Sequence, residues 1–182
     1  QSKIKKNIKF SNLKTPYIGT SYNNIEVESF INKEKELEKF KIEIFDNKIE
    51  LFKTIAKLIY KSKIVGYFNG RMEFGARALG NRSILANPCD PNIKDISNSK
   101  IKRRESFRPF APSILEEKKN EWFEHDKYNP YMSSVENVRK EKQKIIPSVT
   151  HIDGTGRVQS VSKDFNFDFY SPLTKKLVIM KK

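Results

Sequence analysis

Residues 49–70 contain the pattern that most constrains the fold of this chain. Within IELFKTIAKLIYK the apolar residues recur every three or four positions, which predicts an amphipathic helix with Asp46 as its cap. The next segment, KIVGYFNG, is a short apolar run that ends in glycine and is typical of a buried strand. Such alternation of helix and strand predicts a sheet covered by helices, and therefore an α/β fold.

Similar patterns predict further short elements along the chain. Helices are expected at residues 22–33, 91–99 and 116–123. Strands are expected at residues 40–45, 83–87, 131–138 and 156–161. The segment FRPFAPSIL mixes prolines with apolar residues and predicts an irregular stretch or an edge strand. The expected core residues are Ile55, Ile59, Val65, Tyr67, Ile84, Leu85, Ile114 and Val158.

Composition limits the partners and the compartment. A length of 182 residues, 37% of them hydrophobic, suits one globular domain with a real core. A net charge of +14 favours nucleic acid, an anionic membrane or a phosphorylated small molecule as partner, although much of the excess is lysine scattered along the chain. Cys89 is the only cysteine, so an intrachain disulfide is excluded. We find no secretory signal and no apolar run long enough to span a membrane, which predicts a cytoplasmic protein without a membrane partner.

The segment GRMEFGARALGNRS combines three glycines at five-residue spacing with three arginines. Glycines let backbone amides approach a ligand closely, and Arg71, Arg77 and Arg82 offer forked donors that match phosphate or carboxylate oxygens. The segment matches neither the P-loop nor the dinucleotide-binding fingerprint. Two interpretations remain open: an anion site, or a glycine-rich turn whose arginines pair with Glu73 and other carboxylates.

A second basic segment, KIKRRESFRPFAP, concentrates lysine and arginine beside aromatic and proline residues. If it is extended, Lys102 and Arg104 point to the same side and can clamp one phosphate, with Arg108 close by. The alternative is a solvated charged face, which is the usual fate of a basic run. The neighbouring aromatic residues favour partial burial, which would require partners for the charges.

The third segment is THIDGTGRVQ, in which Asp153 and Gly154 predict a turn. His151, Thr155 and Arg157 provide a titratable ring, a hydroxyl and a permanent cation. No second histidine or cysteine cluster accompanies them, so we predict no metal site in this chain. His151 is instead expected to form a structural or a substrate hydrogen bond.

Taken together, the three segments resemble, in order and approximate spacing, the carboxy-terminal region of the O-carbamoyltransferases that modify antibiotics and nodulation factors. The resemblance covers nearly the whole chain and implies a single YrdC-like domain over residues 1–182: a twisted mixed sheet with flanking helices around a basic cavity. It also implies that residues 1–16 are a linker from an amino-terminal Kae1-like domain, which holds the metal of the transfer step. By the same resemblance the carboxy-terminal end of the domain is expected to be truncated.

The resemblance further implies a function, in which the domain binds carbamoyl phosphate and ATP, with Mg²⁺, and forms carbamoyl adenylate. The linked Kae1-like domain would then pass the carbamoyl group to a hydroxyl acceptor. Lys102 and Arg157 are the expected catalytic residues. The expected substrate-binding residues are Arg71, Arg77, Arg82, Ser83, Arg104, Arg108, His151 and Thr155. The chain departs mildly from the family pattern, with Ala76 in place of a proline and Gly156 in place of an alanine.

Two other functions stay open at this point. The charge of +14 and the basic concave surface of YrdC-like folds would also suit a module that binds double-stranded RNA, with steep salt dependence. The third possibility is a folded fragment without activity.

Overall fold

The structure is a computed structural model that describes residues 15–173 and 178–181, with the backbone alone at residues 173 and 178–181. Its α-helices are α1 (Asn24–Lys33), α2 (Lys48–Tyr60), α3 (Ile93–Ile96), α4 (Lys140–Gln143) and α5 (Phe167–Leu173). Its strands are β1 (Val65–Phe68), β2 (Arg82–Ala86), β3 (Ala111–Leu115), β4 (Glu136–Asn137), β5 (Thr155–Gly156), β6 (Gln159–Val161) and β7 (Val178–Lys181). The expected mixed α/β class is therefore confirmed.

Five strands form one mixed sheet in the order β1-β2-β7-β3-β6, while β4 and β5 form a separate pair. Strand β7 is antiparallel to both β2 and β3, and β3 is parallel to β6. Strands β2, β3 and β6 consequently run in the same direction. Their amino-terminal ends therefore lie along one edge of the sheet.

The apolar core covers both faces of this sheet. Neighbouring residues of one strand point to opposite faces: Leu85 packs with α2, whereas Ala86 joins the other cluster with Ile114. The α2 cluster is Phe52, Ile55, Ile59, Tyr67, Leu85, Leu115, Val161 and Phe169. The opposite cluster is Ala86, Ile93, Phe110, Ile114, Trp122, Phe123, Val138, Ile146, Val149 and Val158. Of the eight expected core residues, all are buried except Val65 and Ile84, which are half-buried.

Helix α2 begins where its sequence supplies a cap, although the capping residue differs from the predicted Asp46. The side chain of Asn47 accepts a hydrogen bond from the backbone N–H of Ile49 at 2.8 Å, which satisfies one of the free amides of the first turn. Helix α1 confirms the helix expected at residues 22–33. Its apolar side chains are largely in solvent, however, and Ile25 is 79% exposed.

Several predicted elements are wrong or shorter in the structure. Residues 40–45 form no strand, because no neighbouring strand pairs with them, and Ile44 is 85% exposed. The helix expected at 91–99 is the single turn α3, followed by a π-helix at Ser97–Lys102. Residues 116–123 contain a 3₁₀-helix, Glu116–Glu121, in which Lys119 is buried against Glu136.

The remaining corrections concern strands. Only Glu136–Asn137 is a strand within residues 131–138, and residues 156–161 are divided between β5 and β6. The segment FRPFAPSIL supplies β3, which lies inside the sheet between β7 and β6, so the expectation of an edge strand is wrong. Within the described residues, no helix is long and apolar enough to cross a membrane. The predicted linker lies, for residues 1–14, outside the described residues.

Candidate anion-binding site

The three basic segments meet because of the sheet topology. The glycine-rich segment leads into β2, the second segment leads into β3, and the third leads into β6. Because these strands run in the same direction, the residues that precede them share one edge of the sheet. Residues that are up to 80 positions apart in sequence can therefore line a common cavity.

That cavity has a volume of about 440 Å³, within the range of small-molecule sites. Its cationic lining residues are Arg77, Arg82, Lys102, Arg104, Arg108 and Arg157. The other lining residues are Ala76, Ala78, Pro109, Phe110, Ala111, Met132 and His151. No carboxylate belongs to the described lining of this depression, which we call the basic cavity. Arg108 forms an ion pair with Glu105, which lies outside this lining, at 3.0 Å. The other gathered cations raise the electrostatic energy of the empty site, and an anion would lower it.

Three backbone amides of the glycine-rich segment already donate to Glu73 and so are not available to a ligand in the basic cavity. The buried Oε1 of Glu73 accepts hydrogen bonds from the backbone N–H groups of Leu79 at 2.8 Å, Asn81 at 2.7 Å and Arg82 at 3.1 Å. Burial alone would raise the pKa of Glu73, but these hydrogen bonds together lower it below its ordinary value. The carboxylate of Glu73 thus stabilises the conformation of the glycine-rich segment.

Two of the three arginines of this segment bind backbone carbonyls. Arg71 donates to the carbonyl of Ile18 at 2.9 Å and does not line the basic cavity. Arg82 donates through Nη1 to Asn69 at 2.7 Å and through Nη2 to Gly70 at 3.0 Å. The guanidinium of Arg82 also stacks 3.6 Å from the centre of a phenylalanine ring. Both arginines therefore stabilise the segment, and neither pairs with Glu73 as the alternative interpretation required.

Arg104 is held on two sides by uncharged groups. Its Nε donates to Oδ1 of Asn98 at 2.7 Å, and its guanidinium lies 4.8 Å from the centre of the Phe110 ring. Its Nη2 is buried and has no hydrogen-bond partner among the described residues. Burial lowers the pKa of Arg104, and repulsion from Arg108 lowers it further, while Glu105 opposes both effects. Arg104 is thus a cation held in a defined position, and its Nη2 can donate hydrogen bonds to a ligand.

The loop that carries Arg104 is organised by the fully buried Asn98. Its Nδ2 donates to the carbonyls of Ser106 at 3.1 Å and Arg108 at 3.0 Å. The backbone N–H of Arg104 in turn donates to the carbonyl of Asn98 at 3.0 Å. Arg103 adopts a left-handed conformation with φ of 47°, which is uncommon for a residue other than glycine and stores strain where it occurs. The π-helix ends at this left-handed residue, and the next residue, Arg104, lines the cavity.

The ring of His151 is oriented by a chain of two hydrogen bonds that runs through Thr155 to Asp153. The hydroxyl of Thr155 donates to Asp153 at 2.7 Å, so its oxygen accepts from Nδ1–H of His151 at 3.0 Å. Nε2 of the neutral ring is then an acceptor, and it is buried without a hydrogen-bond partner among the described residues. Burial lowers the pKa of His151, Asp153 raises it, and Arg157 lowers it. The net lowering keeps the ring neutral near pH 7.

Arg77 and Arg157 complete the cationic lining. Arg77 is exposed and Arg157 is partly buried, and neither forms a hydrogen bond or an ion pair within residues 15–173. Lys102 is partly buried and is the last residue of the π-helix, directly before the left-handed Arg103. These three side chains approach the cavity from three different segments of the chain.

The structure thus brings together seven of the ten predicted site residues. The three outside the cavity lining are Arg71, Ser83, whose buried hydroxyl accepts from the N–H of Gly80 at 3.2 Å, and Thr155, which orients His151. Sequence reasoning missed Asn98 and Phe110. The aromatic ring beside an Arg-Pro pair was a usable signal for Phe110, whereas nothing local marks Asn98. The described residues contain no group of three or more histidine, cysteine, aspartate or glutamate side chains that could hold a metal ion.

The fold and the cavity define a mixed α/β protein with a candidate anion-binding site. Comparison with known proteins gives the family. The family model described as "Carbamoyltransferase C-terminus" matches residues 56–177, more than half of the chain. The chain therefore belongs to the carbamoyltransferase family, as its carboxy-terminal region.

Individual relatives agree with this membership. The chain is 48% identical over 114 residues to the nodulation protein NolNO of Sinorhizobium fredii, covering 61% of this chain and 17% of that protein. It is 40% identical over 110 residues to nodulation protein U of the same organism, covering 60% of this chain and 20% of that protein. An uncharacterized protein of Methanocaldococcus jannaschii is 41% identical over 163 residues, covering 90% of this chain and 26% of that protein. The chain thus spans about a quarter or less of the length of these relatives.

Proposed function

We propose that this chain binds carbamoyl phosphate and ATP in the basic cavity and forms carbamoyl adenylate. A linked Kae1-like domain then passes the carbamoyl group to a hydroxyl acceptor. The observation that carries the proposal is the convergence of Arg77, Lys102, Arg104 and Arg157 on a cavity whose described lining has no acid. Both substrates are anions that would compensate this charge.

The formation of carbamoyl adenylate needs fixed positive charge in the site more than it needs a nucleophilic side chain. Water cleaves carbamoyl phosphate to carbamate and phosphate, and a carbamate oxygen then attacks the α-phosphorus of ATP. The new carbon–oxygen–phosphorus linkage forms as the bond to pyrophosphate breaks, so the products are carbamoyl adenylate, phosphate and pyrophosphate. Every reacting group except water is anionic, and transition states of this kind are stabilised by positioned cations. In this proposal Lys102 and Arg157 bind the phosphate oxygens, and Mg²⁺ arrives with ATP.

His151 gives the cavity a second kind of contact. The carbamoyl group carries an amide N–H donor beside its oxygens, and the neutral Nε2 of His151 is an acceptor without a partner among the described residues. We assign this nitrogen to the amide of the substrate. An anion without such a donor, for example sulfate, would bind to the cations and leave Nε2 unsatisfied.

The proposal is tested by titrating the protein with carbamoyl phosphate and with ATP and Mg²⁺ in a calorimeter. We expect both ligands to bind, and inorganic phosphate to compete with carbamoyl phosphate. Pyrophosphate release should require carbamoyl phosphate and ATP together. Failure of both ligands to bind at low salt would refute the proposal. Binding without pyrophosphate release would favour the folded fragment without activity.

Double-stranded RNA is the second candidate, favoured by the net charge of +14 and by the exposure of Arg77 and Arg108 beside the cavity. A duplex cannot enter a volume of about 440 Å³, so it would contact only such outer cations. Its binding should then fall steeply with salt and be insensitive to carbamoyl phosphate. Titration with an RNA duplex at two salt concentrations, with and without carbamoyl phosphate, distinguishes the two functions.

A further inference from the structure

The segment FKIEIF at residues 40–45 has the sequence of a strand and no partner in the described part of the chain. Its aromatic and β-branched residues favour a strand, and apolar Phe40, Ile42 and Ile44 alternate with Lys41 and Glu43. Within the described residues, no backbone N–H or C=O of residues 41–45 forms a hydrogen bond to another backbone group. We call residues 40–45 the unpaired segment.

The unpaired segment is held at both ends and is uncovered between them. At its start, the N–H of Phe40 donates to the carbonyl of Leu37 at 2.9 Å, at the end of the 3₁₀-helix Lys35–Lys39. At its end, Asn47 caps α2. Phe40 is 60% exposed and Ile44 is 85% exposed. A segment whose ends are already fixed loses less conformational entropy on pairing than a free tail would.

The charges of the unpaired segment are complementary to those of a second copy of itself. Within one chain Nζ of Lys41 donates to Oε1 of Glu43, so both charges lie on one face of the segment. In antiparallel strands, residues that lie directly opposite each other also share a face. If Ile42 lies opposite Ile42 of the second copy, Lys41 of each copy lies opposite Glu43 of the other, and Phe40 lies opposite Ile44. One face is then apolar, and the other carries two pairs of opposite charge.

Other registers of the same two strands are less favourable. A shift of one residue places Ile42 opposite Glu43 or Lys41 and mixes apolar and charged side chains on each face. A shift of two residues places Glu43 opposite Glu43, or Lys41 opposite Lys41, and like charges in such positions are destabilising. Parallel strands in register also bring like charges together. Only the antiparallel register about Ile42 satisfies both faces.

We propose that two copies of this chain associate through the unpaired segment, as an antiparallel two-stranded ribbon centred on Ile42. Such a two-fold contact uses the same surface on both copies, and it gives partners to backbone groups that have none within the described residues. A two-stranded ribbon is marginally stable by itself, so we expect a weak dimer that forms at high protein concentration. The proposal is independent of the anion site, because no residue of the unpaired segment belongs to the lining of the basic cavity.

Cysteine cross-linking under mild oxidation tests the register. In a Cys89→Ser background, Ile42→Cys places two thiols directly opposite each other, where the Cα atoms of antiparallel strands are about 4.5 to 5.5 Å apart and a disulfide can form. Ile44→Cys places the two thiols four residues apart, or about 14 Å, so it should cross-link at least about ten-fold more slowly. Ile25→Cys is the matched control, because Ile25 is 79% exposed and lies in α1, outside the unpaired segment. Thermal melts verify that each variant is folded.

A mixing experiment tests whether the partner is a second copy. Phe40→Cys and Ile44→Cys should each cross-link slowly alone and rapidly when mixed, because these two positions lie opposite each other in the proposed register. Charge exchange gives an independent readout by analytical ultracentrifugation. Lys41→Glu and Glu43→Lys should each be monomeric where the wild type is dimeric, since each places like charges opposite one another. An equimolar mixture of the two variants restores opposite charges and should recover the dimer.

The results distinguish this dimer from other contacts. Cross-linking of Ile44→Cys or Ile25→Cys as fast as that of Ile42→Cys would refute the register, because it would indicate random collision or another surface. A wild-type chain that stays monomeric over the whole concentration series would overturn the proposal, and so would a dimer that neither charge substitution weakens. Growth beyond a dimer would contradict a closed two-fold contact. The anion site stands or falls separately from each of these outcomes.

Discussion

Replacement of Arg157 with glutamine should weaken anion binding and leave the unliganded protein at least as stable. The guanidinium of Arg157 forms no hydrogen bond or ion pair within residues 15–173, and it lies among five other cations of the basic cavity. Its removal loses no such contact and relieves repulsion. Hydrogen bonds to charged groups contribute about 1.5 to 3 kcal/mol, so the affinity for carbamoyl phosphate should fall roughly ten- to a hundred-fold.

Three measurements test this reasoning. Calorimetry gives the affinity, thermal melts give the stability, and an NMR titration gives the pKa of His151. That pKa should rise in Arg157→Gln, because Arg157 lowers it in the wild type. Arg157→Lys should keep the pKa low and still bind less tightly than wild type, because lysine lacks the forked geometry. Arg139→Gln is the control, since it removes the same charge outside the cavity. Equal affinity in Arg157→Gln and wild type would refute a ligand contact, and an unfolded variant would indicate a structural role.

Three further predictions follow from the supporting contacts. Asn98→Ala removes three side-chain hydrogen bonds, one of them to a cation, and should lower the free energy of unfolding in urea by about 3 kcal/mol; an unchanged midpoint would contradict the role of Asn98 in the loop. Gly80→Ala should destabilise far more than Gly75→Ala in thermal melts, because a Cβ at Gly80 would lie 2.5 Å from the Phe169 ring, whereas Gly75 faces open space. Since the folded pKa of His151 is lowered, its contribution to stability is complete above about pH 6.5 and is lost as the pH falls through the folded pKa; His151→Asn should flatten this part of the pH–stability curve.

The sequence predicts an element of this fold reliably when the element depends on its own residues, and less reliably when it depends on pairing with a distant segment. The pattern of α2 needs only one apolar face against a sheet, and its buried residues include Phe52, Ile55 and Ile59. A strand also needs a partner, and the alternation at residues 40–45 has none in the structure. The position of β3 inside the sheet depends on β7, which is far away in sequence. Pairing over such distances cannot be derived from local periodicity.

The same distinction applies to the candidate site. Charge and spacing selected segments that the structure brings to one cavity, because permanent cations beside glycine, proline and aromatic residues are unusual in a packed core. They did not distinguish Arg77, which lines the cavity without a hydrogen bond or ion pair within the described residues, from Arg71, whose donor binds a carbonyl. Guanidinium donors satisfy carboxylates, phosphates and carbonyls alike, so only the surrounding backbone decides between them. The same limit applies to the partners of Glu73. The sequence suggested arginines as partners, whereas the carboxylate binds backbone amides.

The absence of carboxylates from the described lining of the basic cavity has a practical consequence for work with this protein in solution. Arg108 is paired with Glu105, but the remaining positive charge of the cavity attracts whatever counterion the buffer supplies. Phosphate, sulfate and citrate resemble the proposed ligands, and any species that binds only the folded state raises its apparent stability with concentration. Melting temperatures measured in phosphate should therefore exceed those in a zwitterionic buffer at equal ionic strength. Affinities measured in phosphate will be apparent values, weakened by competition.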